Sequence, residues 1–295
     1  MRSNIVLSSV IAAITVCVII LSLVPPVGRD DLVHHLAVPK LYLKHGGIYE
    51  IPSLSFSYYP MNLDLLYMIP LYFGNDIAPK LIHFGFGLMT AGLIFHYLRR
   101  RLDVGYALIA VILFLSVPII IKISSNAYVD SGLVFFSTSA LLLLLKWREQ
   151  QFGLKYLILS AIFCGLALGT KYNALIIFFL LTAFVFFLYA RYSSIFSVIK
   201  SGIIYILISL IVFSPWMIRN WHWKKNPIYP LYDGVFNPKP VSETSDAPKK
   251  SYGLLTFRSV VYDESGWEIA ALPLRIFFRE KTEMPNILTA GSIRY

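Results

Sequence analysis

Residues 5–24 read IVLSSVIAAITVCVIILSLV, an apolar run without a single charged side chain. At a rise of 1.5 Å per residue, a helix of that length covers about 30 Å, the thickness of the hydrocarbon core of a bilayer. A soluble domain cuts its apolar residues into shorter amphipathic pieces, because only one face of each helix is buried. A helix that is apolar all round needs lipid or protein on every side. The run follows one arginine, Arg2, in the manner of a signal peptide. It is long enough to span, however, has no small-residue cleavage site before Pro25-Pro26, and is followed by further runs of the same kind. It reads as a retained transmembrane helix.

Six more segments come near a spanning length: 77–98, 104–121, 127–145, 154–170, 173–190 and 201–218. The expectation is therefore an all-α integral membrane protein, a multi-pass helical bundle of about seven transmembrane helices. The segment 154–170 is short and ends in Gly-Thr-Lys, so it is expected to stop below one membrane face or to be shielded by its neighbours. Composition agrees with this class. Hydrophobic residues make up 57% of the 295 and charged residues 14%, and mean hydropathy is +0.67. A soluble domain carries about 25% charged residues.

The net charge of +10 raises nucleic acid as a partner, but the basic residues sit between apolar runs, as Arg99-Arg100-Arg101 does, with no aromatic-interleaved patch. They fit membrane-surface anchors instead, and no nucleic-acid partner is expected. The two cysteines, Cys17 and Cys164, lie inside apolar runs without metal-ligand spacing and read as packed residues. With the N-terminus inside, the inner ends and loops hold Arg2, Arg99, Arg100, Arg101, Lys146, Arg148, Lys155, Arg191 and Lys200. The short outer turns hold only Lys122 and Lys171. That asymmetry follows the positive-inside rule.

The non-membrane sequence then gathers outside. The first outer loop, 25–76, is expected to carry short helices, including an interfacial one over 63–73 (LDLLYMIPLYF). Residues 1–236 read as the transmembrane domain and 237–295 as an outer-face loop and tail, with 237–252 a flexible polar segment. No internal repeat is visible, nor any P-loop, GxGxxG or GxSxG motif, so ATP-driven transport and soluble-type cofactor chemistry find no support.

Four places on the outer side carry ionisable residues suited to chemistry. Directly after the first run comes Gly28-Arg29-Asp30-Asp31-Leu32-Val33-His34-His35. On an α-helix Asp30 and His34 are i,i+4 neighbours, as are Asp31 and His35. That spacing suits a carboxylate base oriented by an imidazole, or a divalent metal site. Asp130 begins the fourth run, where it serves either as a helix N-terminal acid or as a functional carboxylate. Lys171, in Gly169-Thr170-Lys171-Tyr172, is either a snorkelling lysine or a cation aimed at a phosphate or carboxylate. Arg219 ends the seventh run with the same two readings. The remaining histidines, His45, His83, His96 and His222, lack spacing partners and read as interfacial or packed residues.

Several motifs, in order, carry a family likeness: Asp30-Asp31 with His35-Leu36-Ala37-Val38-Pro39-Lys40, Tyr58-Tyr59-Pro60-Met61-Asn62, Tyr128-Val129-Asp130, Gly169-Thr170-Lys171-Tyr172, Ser214-Pro215-Trp216 with Arg219-Asn220, and Asn226-Pro227-Ile228-Tyr229-Pro230. Together they resemble the GT-C type membrane glycosyltransferases, nearest the bacterial relatives of protein mannosyltransferases and aminoarabinose transferases. The resemblance covers most of residues 5–280. It implies a polyprenyl-phosphate-linked sugar donor, a protein, lipid or glycan acceptor, and inversion at the sugar. It places the catalytic base on Asp30 with Asp31 as its neighbour, and an acceptor or metal position on Asp130. It places a phosphate contact on Lys171 and, more weakly, on Arg219, with His35 and Tyr172 in the same motifs as substrate-binding candidates. Metal dependence differs among members, so a divalent cofactor is left open, with Asp30 and Asp130 as candidate ligands. Asp-Asp stands where many relatives have Asp-Glu. Relatives commonly run longer, and Leu272-Pro273-Leu274-Arg275-Ile276-Phe277-Phe278 matches a region that precedes another span in them, so a C-terminal truncation relative to them is expected.

The implied site is therefore an enzyme's, on the extracytoplasmic face of the cell membrane. Two rivals remain at this level, a transporter or flippase of lipid-linked intermediates and an inactive truncated scaffold. Transport predicts ionisable residues facing each other near the midplane across repeats; here they cluster near one face.

Overall fold

The structure is a computed structural model that describes residues 2–238 and 265–271. The chain divides into two compact units, Met1–Pro238 and Lys239–Tyr295. In the second, the described part is a helical turn, Gly266–Ala270, whose start is closed by the Ser265 amide and hydroxyl donating to Glu268 Oε2 at 3.0 and 3.1 Å. The expected loop at 237–252 and the apolar stretch 272–278 lie, but for residues 237 and 238, outside the described residues.

The first unit is wholly helical among the described residues. Its helices are α1 (Arg2–Ser22), α2 (Ala37–His45), α3 (Asn62–Tyr72), α4 (Ala78–Leu98), α5 (Val104–Ser116), α6 (Pro118–Ser124), α7 (Asp130–Glu149), α8 (Leu154–Leu168), α9 (Ala174–Ala190), α10 (Ile195–Lys224) and the short α11 (Asp233–Phe236). A π-helical turn (Asp31–His35) precedes α2, and a 3₁₀ turn (Ser55–Tyr58) lies between α2 and α3.

This is a multi-pass helical membrane protein. Helices α1, α4, α7 and α10 are each long and apolar enough to cross a bilayer, and α5 with α6 makes a fifth if the bent pair is one span. The expected seven runs all appear as helix, but α8 and α9 have only 15 and 17 residues. Large side chains also face outward: Phe179 on α9 is 66% and Ile211 on α10 67% exposed. In a water-soluble bundle those positions would be polar; lipid explains them.

Two prolines shape the spans. Pro118 has no amide to donate and pushes Val117 out of the helical region (ψ 123°), so α5 and α6 meet at 66°. Pro215 inside α10 leaves the Ile211 carbonyl without its helical donor, and the Ser214 hydroxyl donates to that carbonyl at 2.7 Å.

The centre of the bundle is α8, packed between α7 and α10. Its small residues let the backbones approach, and hydroxyls bridge the gaps. Ser160 donates to the Ala140 carbonyl on α7 at 2.7 Å, and Ser209 on α10 donates to the Ala161 carbonyl at 3.0 Å. Cys164 is fully buried there, and Cys17 is exposed on α1.

The helices alternate in direction, so their ends collect into two rims. One rim gathers the basic residues at the ends of α4 and α7, with Arg101 paired to Glu149 and Lys146 over the Tyr156 ring. The other holds the loop after α1, the starts of α4 and α7, and the ends of α8 and α10. Lys80 at the start of α4 donates to the Val24 carbonyl, which ties the loop after α1 onto the bundle.

Candidate functional site

The chain leaves α1 at Pro25-Pro26 and turns into Gly28-Arg29-Asp30-Asp31. A β-carbon on Gly28 would stand 3.0 Å from Asp31 Oδ2, so the acid folds tightly beneath the bare residue. The next turn is π, closed by the Leu36 amide donating to the Asp31 carbonyl at 2.8 Å. This wider turn changes the pairing expected from an α-helix. His35 does not bond Asp31; its Nδ1 meets Asp64 Oδ1, on α3, at 2.7 Å. Such single π-turns recur at functional sites.

Asp30 and Asp31 consequently part. Asp30 lines a cavity of about 450 Å³ together with Arg29, His34, His35, Thr170 and Lys171, with Phe56 and Tyr59 as an aromatic wall. Asp31 lies buried behind it, and neither of its oxygens has a hydrogen-bond partner of normal geometry. Burial raises its pKa above the ordinary carboxylate value, with the Ala127 backbone and then the charges of His35 and Lys80 pulling the other way.

Lys171 reaches the cavity because α8 ends at Leu168 and the chain turns at once into α9. Its Nζ donates to Asp130 Oδ1 at 2.8 Å. Asp130 is in the first turn of α7 but makes no side-chain cap; the buried amide of Ser131 donates instead to His83 Nε2 at 2.9 Å. His83 is thus a packed residue, as expected. Asn62 locks the region together: its Nδ2 donates to the Leu166 carbonyl at 3.1 Å, and its Oδ1 accepts from Trp216 Nε1 at 2.9 Å. Gly169 must be bare because a β-carbon would collide with the Asn62 amide.

The two remaining candidates lie apart from the cavity lining. Arg219 Nη2 donates to the carbonyls of Tyr58 and Tyr59 at 2.6 and 3.1 Å, and its guanidinium lies 4.5 Å from the Trp216 ring centroid and 5.0 Å from that of Trp223. Tyr172 donates to the Tyr229 carbonyl at 2.9 Å and accepts from Asn220 Nδ2 at 3.1 Å, and burial pushes its pKa well up. Arg219 thus holds the Tyr58-Tyr59 segment against the end of α10, and Tyr172 joins Asn220 of α10 to the Tyr229 turn.

Burial lowers the pKa of His34 to about 4 and keeps its ring neutral, with Asp64 partly opposing that shift. Burial also acts to lower His35, but the charge and hydrogen bond of Asp64 outweigh it and the net shift is upward. Among the described residues, His34, His35 and Asp64 are the group whose ligand-capable atoms gather, within 4.8 Å of one another; Asp30 and Asp130 are not in it. Asp64 carried a faint sequence signal, a lone acid in the apolar stretch LDLLYMIP, but nothing tied it to the histidines.

The family model for dolichyl-phosphate-mannose-protein mannosyltransferases matches residues 72–219. This chain belongs to that family. It is a glycosyltransferase of the GT-C type, whose donors are sugars on polyprenyl phosphate. Comparison with curated proteins and with solved structures gave no match. The match to the mannosyltransferase family takes in Asp130, Lys171 and Arg219, whereas Asp30, His34, His35 and Asp64 precede it. The half of the cavity nearest the family's shared helices therefore comes from α7 and the α8–α9 turn, and the other half from the first loop.

Proposed function

We propose that this protein transfers a sugar from a polyprenyl phosphate carrier to a hydroxyl or amine acceptor at the extracytoplasmic face of the cell membrane, with inversion at the sugar. Asp30 takes the proton from the acceptor as its oxygen or nitrogen bonds to the anomeric carbon. The carbon–oxygen bond to phosphate breaks, and the electron pair leaves with the lipid phosphate. Lys171 faces the charge that develops there, where a fixed cation contributes most. Asp130 holds Lys171 in place, and Arg219 and Tyr172 shape the aromatic loop above the cavity.

One observation carries this reading: Asp30 and Lys171, from opposite halves of the chain, line the same cavity. The basic residues on the opposite rim favour that rim as cytoplasmic, which supports a cavity on the outer face. The ionisable groups gather at one end of the bundle rather than across its middle, which supports transfer over transport.

The test is Asp30→Asn in proteoliposomes with a radiolabelled lipid-phosphate sugar. Loss of a general base lowers the rate by roughly 10²–10⁴-fold, with insertion and thermal stability kept. Full transfer by the variant would remove Asp30 from the mechanism, and no transfer by the parent chain with any such donor would favour a non-catalytic scaffold.

A further inference from the structure

Two buried atoms beside the cavity lack partners. Asp64, 1% exposed, bonds His35 through Oδ1, but its Oδ2 is buried and unpaired. His34, whose ring neighbours that of His35, buries an unpaired Nδ1. A buried acceptor left unmet is costly, the more so when charged, so nearly all such atoms are satisfied. A carboxylate oxygen and a neutral imidazole nitrogen both offer lone pairs. A cation answers both at once.

We propose that His34, His35 and Asp64 form a binding site for one divalent first-row transition metal of the Zn²⁺ or Mn²⁺ kind. One atom from each residue lies within 4.8 Å of the others, and the two imidazole rings come to 4.4 Å between centroids. The ligands come from two elements of the first loop, the π-turn and α3, so the metal would also pin the start of that loop to its later helix. Two imidazoles and one carboxylate suit transition ions and leave coordination positions free. Mg²⁺ and Ca²⁺ take oxygen ligands and would not be held. The surrounding charges are mixed: Asp30 acts on His34 favourably to a cation, and Lys171 acts against it but is itself neutralised by Asp130.

Because His34 and His35 line the cavity, the metal would be a second cation beside the departing phosphate. That role rests on the transfer reading above; the site does not.

The test uses tag-free full chain in detergent, stripped with chelator and dialysed against Zn²⁺, Mn²⁺, Co²⁺ or Mg²⁺, with bound metal counted by mass spectrometry. About one transition ion per chain is expected, with no Mg²⁺ retained. Asp64→Asn and His34→Gln each weaken binding by about tenfold or more, while His96→Gln, in the last turn of α4, leaves it unchanged. The visible absorption of bound Co²⁺ in the parent chain reports nitrogen and oxygen ligation without any substitution. Failure to retain a transition ion, or equal binding by Asp64→Asn and His34→Gln, overturns the proposal. Metal binding that persists in a chain whose Asp30→Asn variant still transfers sugar would sink the transfer reading and leave the metal site standing.

Discussion

Lys171 Nζ lies 2.8 Å from Asp130 Oδ1, which joins the α8–α9 turn to the first turn of α7. Both side chains are about one-third exposed, at 34% and 31%. Ion pairs with that much access to water contribute about 0–1 kcal/mol. Stability is therefore a weak reason for the pair, and its place at the cavity edge is the better one. Lys171→Met is expected to lower kcat/KM for the lipid-phosphate donor by about 10²–10³-fold, the scale of losing one stabilising group at the reacting centre. Asp130→Asn, which frees the lysine without removing it, should cost less. Neither should move Tm much. Unchanged kinetics in Lys171→Met would end the phosphate assignment.

Arg219 gives the opposite pattern. Its hydrogen bonds go to two loop carbonyls and to Asn220, so Arg219→Ala should destabilise the chain by about 1.5–3 kcal/mol, as hydrogen bonds from charged groups do. Arg219→Lys should not restore it, because an ammonium cannot reproduce the planar fork. The donor KM should stay near that of the parent, unlike in Lys171→Met. Thermal melts combined with donor titrations distinguish a loop clamp from a phosphate ligand.

The buried Asp31 carboxyl sets a pH dependence. Its folded pKa lies above the ordinary value of 3.8, so across the window from 3.8 up to that raised value the fold binds more protons than the unfolded chain. Stability then falls as pH rises through the window, and the full cost of the ionised group is present above it. Asp31→Asn should raise Tm most at neutral pH, with the gain shrinking as pH approaches 3.8. Melting both chains across that range checks the sign; a gain that grows on acidification would contradict it.

Helix contact around α8 is testable at Gly165. A β-carbon there would stand 2.6 Å from the Ser209 carbonyl oxygen and 2.6 Å from Val212 Cβ on α10, both too stiff to yield. Gly165→Ala should cost about 1–3 kcal/mol, the range for overpacking. Gly47→Ala, with nothing within 4 Å, should melt like the parent. Equal melting of the two variants would mean that α8 and α10 are farther apart than described.

Much of this was legible in the chain itself. The seven apolar runs became helices because an uncharged run of that length has few other ways to satisfy its backbone in lipid. Asp30, Asp130 and Lys171 were visible because an ionisable residue beside an apolar run stands out. The expected Asp31–His35 pairing does not form, because helical spacing assumes 3.6 residues per turn and the π-turn there is wider. Asp64 was passed over for a related reason: its partner lies across the fold, on the far side of α2 in sequence.

Membrane residence, the helical class and the rim at which charge collects were determined by local composition, because hydrocarbon charges a heavy penalty to any polar group wherever it sits in the chain. The tertiary structure alone decided which charges serve the cavity. Arg219 and Tyr172 stand beside Lys171 as candidates in one dimension, and only the packing of α10 against the Tyr58-Tyr59 segment and the Tyr229 turn spends their hydrogen bonds elsewhere. Side-chain partnership depends on distances between elements remote in sequence, and no spacing rule along a single element contains them.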